Sequence, residues 1–89
     1  MRIKEGFNLH KVADHWVAEP EGNATTDNKY IIKLNQSAVL LWKELEKGVD
    51  SVAELAEALL QVYEIEYETA LRDSEELTDL LGEIGLLDV

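Results

Sequence analysis

Apolar and polar positions follow two different periods along the chain. Over residues 1–34 the pattern is short and strand-like, broken by turn formers; over residues 35–89 apolar positions recur three and four apart, the spacing of one helix face. Phe7 to Val12 predicts a first strand, with Phe7, Leu9 and Lys11 on one side. Ala13-Asp14 makes a short turn, and His15 to Pro20 a second strand, with Trp16 and Ala18 on one face and Val17 on the other. Two runs this close imply a hairpin. Pro20 ends the second strand because proline cannot donate to a ladder. Glu21 to Lys29 holds Gly22, Asn23, Asp27 and Asn28, which is loop chemistry. Tyr30-Ile31-Ile32-Lys33-Leu34, rich in β-branched and aromatic residues, predicts a third strand. Its 30/32/34 face should look toward the helices, because Leu34 leads directly into the first of them.

Asn35 is placed to cap that helix, which starts at Gln36. Ala38, Leu41, Trp42 and Leu45 form its apolar face, and Gly48 suits its C-terminal end. Ser51-Val52-Ala53-Glu54 matches a capping box, predicting a second helix to about Tyr63 that buries Leu55, Ala56, Leu59 and Val62. A third helix is expected from about Tyr67 to Ile84, with Ala70, Ser74, Leu77, Leu81 and Ile84 as its core stripe and Gly85 at its end. Leu86 and Leu87 then fold back onto the core. The expected class is α+β, a three-stranded antiparallel sheet followed by three helices (βββααα), winged-helix-like in outline.

Composition narrows what such a fold can do. With 89 residues, about half of a typical ~150-residue domain, one domain over residues 1–89 is expected. An enzyme with a deep cleft and a mobile lid is out of scale. No cysteine is present, which removes disulfides and thiolate metal sites. Eight basic against nineteen acidic residues give a net charge of −11. Phosphate backbones and anionic lipid repel such a chain, so neither nucleic acid nor a membrane is expected as a partner. The 46% hydrophobic content is too high for disorder. No apolar run approaches the ~20 residues that span a bilayer, and the first residues lack a signal-peptide core, so a cytoplasmic location is expected.

Candidate chemistry is sparse. Glu64, Glu66 and Glu68 precede or open the third helix, where the backbone dipole favours negative charge, so they read as helix entry and solubility. His10 and His15 are the only histidines, and two without a further ligand motif do not make a zinc site. Ser37, Ser51 and Ser74 lack a nucleophile-elbow frame, and the glycines are too scattered for a phosphate loop. No catalytic residue, metal or cofactor is therefore expected. A DNA-reading winged helix would need a basic recognition helix; the third helix has Arg72 among Glu68, Asp73, Glu75, Glu76, Asp79 and Glu83. What stands out is Tyr30 to Leu34. It is short and apolar, carries one lysine and no proline, and is poorly protected if it lies at a sheet edge. Such an edge is covered by the chain itself or a second copy, or else accepts an extended peptide as a further strand.

The segment Ile32-Lys33-Leu34-Asn35-Gln36-Ser37-Ala38-Val39-Leu40-Leu41-Trp42-Lys43-Glu44-Leu45 resembles the "LNxTAxxIWxLL" core of PqqD-like proteins. Gly48, the run Val52 to Leu59, the stretch Tyr67 to Leu87 with its Glu83-Ile84-Gly85-Leu86-Leu87 tail, and the opening Ile3 to Phe7 with Val12-Ala13 fit the same family. The resemblance implies a small winged-helix-like module, also called a RiPP recognition element. Such modules bind the leader segment of a ribosomally made precursor peptide and present it to a modifying enzyme, often a radical SAM enzyme. The resemblance places the leader as an added strand against the third strand, Tyr30, Ile31, Ile32, Lys33 and Leu34, in a groove shared with the third helix, where Asp73, Leu77 and Leu80 are the candidate wall. Ser74 and Thr78 stand where related sequences usually carry aliphatic residues, Leu80 where a polar one is common, and Gly82 interrupts the helix. These departures bear on the groove's shape and peptide specificity. The alternative reading is a non-enzymatic winged-helix-like interaction or regulatory module with no precursor peptide. Oligomeric state, precursor and enzyme are not legible in the sequence.

Overall fold

The computed structural model describes residues 1–4, 6–20 and 32–88. The elements are β1 (Arg2–Ile3), β2 (Phe7–Val12), β3 (His15–Pro20), β4 (Ile32–Leu34), α1 (Gln36–Lys47), α2 (Val52–Leu60), α3 (Tyr67–Glu83) and β5 (Leu87–Asp88). The expected three-stranded sheet is antiparallel, in the order β2-β3-β4, and the three helices follow it. The hairpin turns at Ala13-Asp14, with Val12 opposite His15 and Ala13 at φ 56°. Trp16 faces Leu34 and Ala18 faces Ile32 across the β3–β4 pair, so these four share the helix-facing side. Ile32 and Leu34 are buried and Lys33 between them is exposed, as the alternation requires. Of the expected strand, Tyr30 and Ile31 lie outside the described residues, as does the expected loop at residues 21–29.

The core sits between that sheet face and the helices. Trp42 is 1% exposed and lies among Leu34, Leu41, Leu45, Leu55, Leu59 and Leu81 in one cluster. Phe7 meets its ring edge-on, with centroids 6.2 Å apart at 71°. Trp16 is only half-buried and carries Lys43 Nζ 5.9 Å above its ring. Asn35 caps α1 as expected: its Oδ1 accepts the Ala38 amide at 2.9 Å and the Ser37 hydroxyl at 3.0 Å. Gly48, at φ 93°, takes the chain out of α1 in a conformation that side-chain-bearing residues rarely adopt.

Three features differ from the sequence reading. A two-stranded antiparallel ribbon, β1 with β5, joins the two ends of the chain, Arg2 opposite Asp88 and Ile3 opposite Leu87. The Lys4 amide extends it to Leu86 O at 2.8 Å, and Met1 and Val49 exchange backbone hydrogen bonds beside it. Two-residue strands show no period, so only their partners define them. The capping box does not close at the start of α2. Ser51 makes no side-chain cap bond, the Glu54 amide donating instead to the Ser51 backbone carbonyl at 3.2 Å, and the Glu54 carboxylate accepts the Asp50 amide at 2.6 Å, one residue upstream of the expected donor. Lastly, α2 stops at Leu60 and Val62 is 61% exposed. The amides of Val62 and Tyr63 both bond Leu59 O, so the chain tightens and turns there and the helical period no longer carries Val62 inward.

Candidate functional site

β4 is the last strand of its sheet. β3 pairs with one of its sides, and among the described residues no strand pairs with the other. The backbone groups on that free side are the donors and acceptors an added strand would need. Leu34 runs without a linker into Asn35, the cap of α1, so the first turn of α1 stands at the end of the edge.

A cleft of about 250 Å³ opens there, between the start of α1 and the middle of α3. Asn35, Ser37, Ala38 and Leu41 form one wall; Asp73, Glu76, Leu77 and Leu80 form the other. The α3 wall is a stripe at i, i+3, i+4 and i+7, one helix face next to the core stripe and sharing Leu77 with it. Leu41 and Leu77 are buried at the cleft floor, while Leu80 is 44% exposed. Leu80 is thus a large apolar side chain held at the mouth of an open site rather than in the core. Asp73 is half-buried and Glu76 exposed, and neither has an ion-pair partner among the described residues.

The structure therefore brings Asp73, Leu77 and Leu80 into one wall. Ile32, Lys33 and Leu34 do not line the cleft; Ile32 and Leu34 turn their side chains into the core, leaving only backbone and Lys33 for an edge partner. Tyr30 and Ile31 fall outside the described residues. Sequence reasoning missed Glu76, Asn35, Ser37, Ala38 and Leu41 as lining residues. Glu76 was within reach, being three residues beyond Asp73 and four before Leu80. Ser74 and Thr78, the polar departures, do not open into the cleft. Ser74 is fully buried with its hydroxyl donating to Ala70 O at 2.8 Å, and the Thr78 hydroxyl donates to Glu75 O at 3.0 Å, so both are satisfied within α3.

Elsewhere the chemistry is thin. His10 Nε2 lies 3.1 Å from Glu19 Oε1 and His15 Nδ1 3.4 Å from Asp14 Oδ1, both on the hairpin surface. Among the described residues no three His, Cys, Asp or Glu side chains gather as metal ligands, and no helix is long and apolar enough to cross a membrane.

Two solved structures share this architecture. One, TbiB1 in complex with the TbiA(beta) leader peptide, superposes with a TM-score of 0.72 at 20% identity, covering 99% of this chain and 95% of that one. The other, a lasso peptide synthetase B1 complexed with the leader peptide, gives a TM-score of 0.68 at 26% identity, covering 96% of this chain and 93% of that one. Comparison with curated proteins finds no match. The family model for coenzyme PQQ synthesis protein D (PqqD) matches residues 17–87, from the middle of β3 through all three helices to β5. The chain belongs to the PqqD family.

Proposed function

We propose that this chain binds the leader segment of a ribosomally synthesised precursor peptide by strand addition and presents it to a modifying enzyme, such as a radical SAM enzyme. The observation that carries this reading is an edge strand, β4, that runs directly into an open cleft walled by α3. The leader strand pairs with the backbone of residues 30–34, and its helix-side residues enter the cleft against Asp73, Leu77 and Leu80. Main-chain bonds supply sequence-tolerant affinity and the cleft supplies the choice of side chain. Two structural neighbours that are themselves leader-peptide complexes support the reading. In this role the chain is a carrier and not a catalyst, acting as one domain in the cytoplasm where precursor peptides are made.

The test is calorimetric titration with synthetic leaders of any short precursor peptides encoded near this chain's gene. One-to-one binding to the parent, abolished by Leu80→Arg without loss of the melting transition, is expected. Absence of binding to every such leader would contradict the proposal and favour an interaction module with no precursor.

A further inference from the structure

We propose that the cleft selects leaders carrying a lysine or arginine next but one to an apolar residue, with Asp73 and Glu76 as the selecting groups; this rests on the docking reading above. A strand added beside β4 turns every second side chain toward the helices. Those side chains meet a cleft whose floor is apolar, Leu41 and Leu77, and whose α3 wall carries two carboxylates and no cation. An apolar side chain fits the floor. At the next helix-side position, a long cationic side chain lays its methylene stem along the exposed Leu80 and places its charged head between Asp73 and Glu76. The intervening residue points the other way, to the face where Lys33 is exposed, so a neutral or acidic residue suits it. Acidic side chains on the helix side are excluded by like charge, and the chain's net charge of −11 attracts a cationic leader at longer range.

The two carboxylates also have a structural use. They face the start of α1, whose first turn has no acidic residue of its own, and there they complement the positive end of that helix. That role affects melting and is blind to the peptide, which separates it from selection.

The experiment is selection of a random peptide display library on the full chain, using peptides long enough to span β4 and the cleft at roughly 3.3 Å per residue. Enriched peptides that lose binding to Leu80→Gln, which removes the apolar lip of the cleft without adding charge, are cleft binders. Among them the proposal predicts an excess of Lys or Arg two positions from an apolar residue. Changing that cation to Gln in the strongest binder should weaken binding about two- to thirtyfold, the range for losing two solvent-screened ion pairs. The loss should shrink at high salt and vanish on Asp73→Asn/Glu76→Gln. Should that double variant lose its melting transition, Glu76→Gln alone, at an exposed position, must remove part of the penalty. Cleft binders with no cationic excess, or a penalty equal on parent and variant, overturn the selectivity and leave leader docking standing. A library that yields no cleft binder overturns both.

Discussion

At the scale of single residues, two side chains of one type have opposite burial for a positional reason. Trp42 lies on the inner stripe of α1, sealed by Phe7 and the helix leucines, while Trp16 sits toward the end of the hairpin beneath Lys43. Trp42→Ala should cost about 3–5 kcal/mol by removing a buried ring and leaving its cavity; Trp16→Ala should cost distinctly less. Denaturant titration of both variants checks the order, and near-parental stability of Trp42→Ala would contradict it. Gly82 offers the reverse case. It sits inside α3, and a methyl group added there meets no atom within 4 Å. Gly82→Ala should therefore stabilise the fold by roughly 0.5–1 kcal/mol through helix propensity alone, read as a raised denaturation midpoint. Gly82 is then a weak point in the helix that walls the cleft.

At the scale of elements, β4 is the part that a leader would use, and proline is its sharpest probe because it removes one amide and adds a steric block. Successive amides of an edge strand point alternately to the neighbour and to the open side. Ile32→Pro and Lys33→Pro should therefore separate. One abolishes leader binding with the sheet intact; the other breaks a bond to β3 and lowers stability, with Ile32→Ala as the control for the lost core side chain. If both stay folded and bind the leader like the parent, β4 is not the docking edge. The elements were largely readable in advance where local chemistry decides them. Alternation and a two-residue turn fixed β2 and β3, and Asn35, Gly48 and Gly85 bounded their helices. Reading failed where partners decide: β1 and β5 exist only as each other's neighbours, and Glu54 chose the Asp50 amide over that of Ser51. The site divides in the same way. Asp73, Leu77 and Leu80 were marked by family resemblance and share one helix stripe, whereas Asn35, Ser37, Ala38 and Leu41 became cleft wall only once α1 and α3 faced each other.

At the scale of the whole molecule, charge argues against nucleic acid as a partner. With a net charge of −11 and Arg72 as the one basic residue of α3, duplex binding at moderate salt should be undetectable by gel shift. Tight, salt-sensitive retardation would refute that. In the proposed function, one contiguous surface, the edge of β4 and the cleft wall of α3, takes up an extended leader. Backbone-amide NMR during titration with a leader peptide that binds the chain is the measurement that decides it. Shifts should concentrate in residues 32–41 and 73–80, with slowed amide exchange on β4 as its free side becomes paired. Shifts confined to the β1–β5 ribbon or the α2–α3 connection, with β4 and the cleft unmoved at saturation, would contradict it.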